Sequence, residues 1–219
     1  MKSLRSTSTK ITLPLSIAIL SLVLMIPAVG SARKVPAGAQ DDLAEVRWAT
    51  AKFHRVEAAI EAGYTLGYVR PTQVDPIITG CIAHPTAGAM GFHYFNKALI
   101  DDWTVNPQNP VDPLKPEGLV YAPGPDGKLQ LVAVEYVVPS SGSVGGGVDE
   151  APTVLGMQMQ ILVPPPGPAW YILHAWIWRD NPSGMFMDWN PKVVCPTTAG
   201  ALAGPEVPSA SPFPFKFAR

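Results

Sequence analysis

Lys128-Leu-Gln-Leu-Val-Ala-Val-Glu-Tyr-Val-Val138 is the segment that most clearly indicates the fold class. It is rich in branched apolar residues on both of its sides and carries one acid, which predicts a long strand in contact with the core. The turn-forming run Pro123-Gly-Pro-Asp-Gly127 precedes it, and the apolar segment Leu119–Tyr121 comes before that run. Asp-Gly between two apolar segments is a strong turn signal, so the sequence predicts an antiparallel hairpin here.

Further strands and one helix surround this hairpin in the sequence. Aromatic and branched residues predict strands at Phe92–Phe95, Val154–Val163 and Trp170–Trp178, and a strand broken by two prolines is expected over 64–79. The helix should begin at Asp41 and end at Gly63, because apolar residues recur between them at helical spacing: Val46, Ala49, Phe53, Val56 and Ile60. These elements predict an α+β fold, in which one main N-terminal helix packs on an antiparallel sheet or partial β-barrel.

The N-terminal 32 residues have the features of a signal peptide. Three basic residues come first, an apolar run extends over 11–29, and small residues follow, so that cleavage is expected after Ala32. An uncleaved membrane anchor is the alternative, although Pro14 and Pro27 interrupt the run. We therefore expect a secreted or extracytoplasmic protein with a polar lead at 33–40, one domain at 41–196 and a loose tail at 197–219. No stable membrane partner is expected after cleavage.

Charge and cysteine content narrow the function classes further. The formal net charge of the whole chain is −1 and becomes −4 once the three basic residues of the signal are removed. That balance argues against a nucleic-acid partner. Cys81 and Cys195 are the only cysteines, and in an exported protein they predict one internal disulfide. A pair of metal thiolates is the weaker alternative.

Three polar residues stand alone in apolar strand segments, namely His93, Glu135 and His174. A buried carboxylate needs a partner, and two imidazoles with one carboxylate are a ligand set for a mononuclear iron or zinc ion, while imidazole also suits copper. His54 is the favoured extra ligand, and His84 is the other choice. A structural Glu–His pair and a metal-free acid–base site remain alternatives.

The remaining functional predictions concern catalysis and ligand binding. Glu57, as a proton-transfer group, and Tyr94, next to His93, are the predicted catalytic residues. Serine-hydrolase, zinc-protease, phosphate-loop and dinucleotide motifs do not occur. The favoured function is a secreted metal-binding protein, with oxidoreductase as the preferred reaction class and metal-dependent hydrolase as the third choice. The second choice is a non-catalytic binding module for a glycan or small molecule, lined by Trp176, Trp178 and Trp189.

Four segments also carry a family resemblance. They are Gly88-Ala-Met-Gly-Phe-His-Tyr-Phe-Asn96, Leu131-Val-Ala-Val-Glu-Tyr136, Leu173-His-Ala-Trp-Ile-Trp-Arg-Asp-Asn-Pro-Ser-Gly-Met-Phe186 and Trp189-Asn-Pro-Lys-Val-Val-Cys195. The chain resembles, from about Ala49 to Cys195, a family of small exported, mostly bacterial proteins of uncharacterised function. The resemblance implies export and a compact domain, and it implies no reaction. His93, Glu135 and His174 lie within these segments.

Overall fold

A computed structural model of the chain describes residues 39–68, 79–142, 147–162 and 169–196. The predicted signal peptide, most of the polar lead and the C-terminal tail lie outside these residues. No helix in the described ranges is long and apolar enough to cross a lipid bilayer.

The described residues form a mainly antiparallel β structure. Its strands are, in chain order, β1 (Tyr64–Leu66), β2 (Ile82–His84), β3 (Gly88–Asn96), β4 (Gly118–Pro123), β5 (Leu129–Pro139), β6 (Thr153–Val154), β7 (Met157–Gln158), β8 (Gln160–Leu162) and β9 (Trp170–Ala175). The main sheet has the order β1-β3-β4-β5-β9-β8, and β2 pairs with the first half of β3. Among the described residues β1 does not pair with β8, so the sheet is open rather than a closed barrel.

The predicted hairpin is confirmed as β4 and β5. Asp126 Oδ1 accepts a hydrogen bond from the Lys128 backbone N–H, and Gly127 has a φ of 76°, as the tight turn requires. A β-bulge, whose extra residue is Val132 of β5, shifts the register of β4 with β5 between Val120 and Tyr121. Bulges increase the local bend and twist of a strand, so this one curves the middle of the sheet.

The main N-terminal helix is confirmed, but it is interrupted. It comprises α1 (Ala39–Thr50), a 3₁₀ turn (Ala51–His54) and α2 (Val56–Glu61), and Arg55 between them is extended. The Tyr121 hydroxyl donates to the Phe53 carbonyl at 2.6 Å, so the sheet takes an acceptor that a continuous helix would use internally. The break shifts the helical phase, and therefore the predicted core residue Ile60 is 51% exposed while Ala59 is buried.

The first face of the sheet packs against α1 and α2. Leu43, Val46 and Phe53 of the helices form one core cluster with strand residues of this face, including Tyr94 and Tyr121. Tyrosine hydroxyls fix surrounding segments to the sheet: Tyr64 donates to the Pro116 carbonyl, Tyr136 to that of Pro113 and Tyr171 to that of Asp149. Each bond satisfies a polar group in or next to the core.

The second face carries two separate apolar clusters. One includes Val120, Ala133 and Trp176, and the other includes Phe95, Val137 and Ile172. The first also contains Val193, and the second contains Ile100 of α3 (Lys97–Val105), a helix that Asn96 caps. Because side chains alternate along a strand, the positions between these clusters on β3, β5 and β9 belong to the three polar residues singled out from the sequence.

The segment after β9, here called the C-terminal loop (179–195), is joined to this face at two places. Asn190 and Ala89 exchange backbone hydrogen bonds of 3.1 Å, and the Trp176 backbone N–H donates to the Met185 carbonyl. Gly88, at a φ of +95°, permits this approach, since a Cβ there would lie 2.2 Å from the Asn190 oxygen. The predicted disulfide between Cys81 and Cys195 is confirmed, with its Cα atoms 5.6 Å apart.

Two strand predictions need correction. The strand expected over Val154–Val163 consists of the short pieces β6, β7 and β8, because Leu155 and Gly156 both have a positive φ and turn the chain between β6 and β7. The strand expected to reach Trp178 ends at Ala175, because the next backbone N–H bonds to the C-terminal loop instead of to another strand.

Candidate metal centre

Three neighbouring positions of the second sheet face bring the polar residues together. Glu135 on β5 and His174 on β9 are direct partners in the sheet register. His93 lies on β3, on the far side of β4. On β4, the residue opposite Glu135 is Gly118. Because Gly118 has no side chain, β4 places no bulky group between β3 and β5 at this position. A Cβ there would lie 3.1 Å from both the Glu135 Cβ and the Phe95 ring.

The two imidazoles converge through their Nε2 atoms, and each faces a different carboxylate oxygen of Glu135. The Nε2 atoms of His93 and His174 are 3.2 Å apart, and His174 Nε2 is 3.3 Å from Glu135 Oε1. The distance from His93 Nε2 to Glu135 Oε2 is 3.5 Å. Two ligands bound to zinc at 2.0–2.1 Å in tetrahedral geometry are about 3.3–3.4 Å from each other. The two Nε2 atoms, and each Nε2 atom with one Glu135 oxygen, are therefore spaced like neighbouring corners of a metal-coordination tetrahedron, and a set of one ligand atom from each residue lies within 4.8 Å.

The cluster is buried, and its hydrogen bonding is incomplete. His93, Glu135 and His174 are 2%, 5% and 0% exposed. Within the described residues, Glu135 Oε2 has no hydrogen-bond partner and the two Nδ1 atoms have none of ordinary geometry, although the backbones of Gly91 and Asp188 are close enough to raise the pKa values of His93 and His174. The contacts of 3.2–3.5 Å are also longer than ordinary hydrogen bonds to nitrogen. Since buried polar groups in folded proteins are nearly always paired, hydrogen bonding within the cluster does not account for this arrangement.

Burial and charge give the three groups different protonation properties. Burial lowers the pKa of His93 to about 4, and the attraction of Glu135 offsets this only in part. Burial would also lower the pKa of His174, but the charge and hydrogen bond of Glu135 outweigh it and raise that pKa. Burial on its own would raise the pKa of Glu135. The attraction of the two imidazoles is larger, so the pKa of Glu135 is lowered. At neutral pH the cluster thus offers a neutral imidazole and a carboxylate, and His174 is the group that exchanges a proton.

Aromatic rings restrict movement of both imidazoles. The Phe95 ring stacks on His93 with its centroid 5.8 Å away, and the Trp176 ring meets His174 edge-on at 6.0 Å. Trp176 is itself held by its indole N–H, which donates to the Met187 carbonyl at 2.6 Å. Packed rings of this kind preorganise a ligand set, since the imidazoles lose little freedom when an ion binds.

Asp188 also belongs to the surroundings of His174, and sequence reasoning missed it. This acid lies in the C-terminal loop, is 5% exposed, and accepts a 2.6 Å hydrogen bond from Gln160 Nε2. Its carboxylate and its backbone both act to raise the pKa of His174. The signal in the sequence is weak, because an acid in a polar loop usually faces solvent.

The other two histidines do not join the cluster. His54 is exposed and packs edge-on against Trp178, with ring centroids 4.2 Å apart. His84 is also exposed, and its Nδ1 accepts hydrogen bonds from the backbone of Thr86 and Ala87. Among the described residues, the group whose ligand atoms lie within 4.8 Å of one another has three members, His93, Glu135 and His174. The prediction of His54 as a fourth ligand therefore receives no support.

Glu57 and Tyr94 lie on the other side of the sheet from the cluster. Tyr94 follows His93 in β3, points to the helix side and meets Tyr121 edge-on at 5.1 Å. Burial, followed by the charge of Glu57, raises the pKa of Tyr94, so these two predicted residues are close to each other. Glu57 itself is exposed. Tyr94 points away from the imidazoles because side chains alternate along β3, and Glu57 lies in α2 on the same side as Tyr94. This placement does not support direct contact of either residue with an ion held by His93 and His174.

The three tryptophans predicted to bind a ligand do not form one open surface. Trp176 is 2% exposed and belongs to the core. Trp178 is half-buried, and its indole N–H donates to Thr50 Oγ1 at 3.2 Å. Trp189 is half-buried and packs near His84, with ring centroids 5.2 Å apart. The burial of Trp176 removes it from any exposed groove.

Comparisons of the chain with protein-family models, with curated proteins and with solved structures find no match.

Proposed function

We propose that this chain is an exported protein that binds one metal ion through His93 Nε2, His174 Nε2 and Glu135, and that the bound ion serves an oxidation–reduction reaction. One observation carries the proposal. The two buried Nε2 atoms lie 3.2 Å apart, and each lies 3.3–3.5 Å from one carboxylate oxygen of Glu135. One ligand atom from each residue lies within 4.8 Å of the other two, close enough for a shared ion.

The donor set supports iron, copper or zinc as the ion. Two imidazoles and one carboxylate bind non-haem iron and zinc and leave positions open, and imidazole also suits copper. Such an ion would supply a Lewis acid, and iron or copper would in addition exchange electrons. The chain supplies the rest: Phe95 and Trp176 exclude water from the ligands, and Glu135 holds the His174 proton until an ion replaces it.

Export is supported by the disulfide and by the N-terminal sequence. Disulfides persist in oxidising compartments, and Cys81 and Cys195 form one. The basic start and apolar run of residues 1–32 have the composition of a signal peptide. Detection of the mature protein outside the cytoplasm, beginning near residue 33, would test this part separately.

Metal analysis tests the ligand assignment. Protein purified without a histidine tag should hold close to one equivalent of iron, copper or zinc, and His93→Ala, His174→Ala and Glu135→Gln should each lose it. His54→Ala and His84→Ala are matched controls, because both side chains are exposed and outside the cluster, and they should keep the ion. A folded wild-type protein that takes up no metal after chelation and reloading would refute the proposal and leave a structural polar cluster or acid–base site.

The reaction class needs a second measurement. An oxidoreductase should consume oxygen or peroxide in a manner that depends on the bound ion and disappears in His93→Ala. Hydrolysis of ester or phosphate substrates with the same dependence, and without oxygen or peroxide turnover, would favour the metal-dependent hydrolase instead.

A further inference from the structure

The candidate metal centre is enclosed by protein, which limits the molecules that could reach an ion in it. His93 and Glu135 are 2% and 5% exposed, and His174 is fully buried. A catalytic ion keeps a position open for water or substrate. Here that position would lie inside the domain, so the packing around the three side chains decides which molecules can occupy it.

The space beside the ligands is filled to within the size of a methyl group. A Cβ on Gly118 would lie 3.1 Å from the Glu135 Cβ and from the Phe95 ring. Carbon atoms in favourable contact are about 3.5–4.0 Å apart, so even this one added atom would force its neighbours to move. The Phe95 ring is in turn stacked on His93, with the ring centroids 5.8 Å apart. An organic substrate would therefore have to displace packed side chains of the sheet.

The ring beside His174 is held by the C-terminal loop. Trp176 meets His174 edge-on at 6.0 Å, and its indole N–H donates to a backbone carbonyl of the loop at 2.6 Å. Val193 of the same loop is 1% exposed and packs in one cluster with Trp176. The disulfide then ties the end of the loop, at Cys195, to Cys81. A segment with these attachments moves away only by local unfolding, so it is a fixed wall and not a lid.

Helix α3 forms the corresponding wall beside His93. Ile100 of this helix is 1% exposed and lies in one cluster with Phe95. The helix is also bonded to the segment that enters β4, because the Trp103 indole N–H donates to the buried Glu117 carboxylate at 3.0 Å. Both walls are therefore anchored to the sheet by buried contacts.

On these grounds, and resting on the proposed metal site, we propose that the open position of the ion admits only molecules of two or three non-hydrogen atoms, such as dioxygen and peroxide. Molecules of that size pass through the brief gaps that form when packed side chains change rotamer. A ring or a phosphate ester needs a lasting cavity, which the anchored walls do not provide. The substrate class that reaches the ion is thus small oxygen species and not esters or phosphate esters.

Co²⁺ is a suitable probe ion, because sites of this donor type bind it with an affinity between those for Fe²⁺ and Cu²⁺. Visible absorption of the Co²⁺-loaded full chain reports which added molecules reach the ion, independently of turnover. Azide is a row of three atoms and imidazole is a five-membered ring, and both bind metals through nitrogen. Azide should change the Co²⁺ absorption of the wild type, and imidazole at the same concentration should leave it unchanged.

Trp176→Ala should admit the ring. Removing a large buried side chain leaves an apolar cavity that can take up a small aromatic molecule, so imidazole affinity should rise by about tenfold or more. Azide should still bind to this variant. Trp178→Ala is the matched control, because this indole is half-buried and donates to Thr50 Oγ1 on the helix side of the sheet. It should respond to azide and imidazole as the wild type does.

The outcomes separate this inference from the proposed function. If the wild type binds no Co²⁺, the metal site and the size limit fail together. If it binds Co²⁺ and imidazole changes the absorption as readily as azide, or if neither molecule changes it, the metal site stands and the size limit is wrong. If Trp176→Ala does not fold, the comparison of azide with imidazole in the wild type decides alone.

Discussion

Nε2 of His93 and Nε2 of His174 lie 3.2 Å apart, although two strands, β4 and β5, separate the strands that carry them. Neighbouring strands are about 4.8 Å apart, so a flat sheet would place the two backbones roughly 14 Å from each other. The imidazoles nevertheless meet over β4 and β5, where Gly118 has no Cβ and the Phe95 ring and the Glu135 side chain fill the space above it. The extra residue of the bulge opposite Val120 and Tyr121 is Val132, so the strand that it bends is β5.

Metal binding should release about one proton per ion at pH 6. His93 is already neutral there because its pKa is near 4, and Glu135 is ionised because its pKa is lowered. His174, whose pKa is raised, must lose its proton, so metal affinity should rise about tenfold per pH unit below that pKa and level off above it. Calorimetric titrations in two buffers of different ionisation enthalpy count the protons, and His54→Ala should give the same count. Release of two protons, or of none, would contradict the assignment.

Gly118→Ala should loosen the metal centre. The new Cβ would press on Glu135 and Phe95 at 3.1 Å, and overpacking of this kind costs about 1–3 kcal/mol of unfolding free energy. Urea unfolding measures that cost, and the rise in melting temperature on adding metal should be smaller than in the wild type. Gly142→Ala serves as the control, since its nearest contact would be 3.9 Å away. Equal behaviour of the two variants would show that the space at Gly118 is not needed.

Glu117 should make the protein less stable as the pH rises from about 5 to 8. Its carboxylate accepts hydrogen bonds from Trp103 Nε1 and from the Val137 N–H, yet burial raises its pKa from 4.5 to about 7. Because the folded-state pKa is above the unfolded one, the folded form is favoured when Glu117 is protonated. That advantage, roughly 3 kcal/mol, is complete below the unfolded pKa and is lost as pH passes through the folded value.

The control for this effect is Glu117→Gln. Its amide cannot accept from both donors, so it should be less stable than the wild type at pH 5. Its stability should nevertheless change less between pH 5 and 8, because the titrating group is gone. Urea unfolding at several pH values gives both quantities, and an unchanged pH profile in the variant would rule out Glu117 as the source.

Removal of the disulfide should destabilise the domain and weaken metal binding together. The bond joins residues 114 positions apart, and loop entropy predicts a loss of roughly 4–5 kcal/mol in Cys81→Ala/Cys195→Ala. Cys195 ends the loop that holds Asp188 beside His174, so metal affinity should fall even where the variant remains folded. Chemical unfolding and metal titration of the double variant measure the two effects. Stability within about 1 kcal/mol of the wild type would show that the bond adds little.

The three residues of the metal centre could be predicted from the polar and apolar pattern of the strands. The residues that the prediction missed or misplaced have physical explanations. His93, Glu135 and His174 could be recognised because each is a lone polar residue in an apolar strand, where burial demands a partner. His54 had no such constraint, and its helical spacing did not reveal that Trp178 would hold it outside the cluster. Asp188 gave no signal in a polar loop.

The fold was predictable to the same degree and for similar reasons. Local patterns identified the hairpin of β4 and β5, and the cysteine count identified the disulfide. The break after Thr50 depends on the hydroxyl of Tyr121, which is 68 positions from the carbonyl that it contacts. The spacing of apolar residues within the helix cannot reveal so distant a partner. The positive φ of Leu155 could not be predicted from the local sequence either.

The attachment of the C-terminal loop to Ala89 and Trp176 has a consequence for biosynthesis. Residues from β3 to Cys195 must all be made before the two imidazoles are held face to face, so a nascent chain offers an incoming ion no finished site. In the proposed function, loading of the metal site would therefore follow synthesis of the C-terminal loop. The ions present where the chain completes its fold would then determine which one occupies the site.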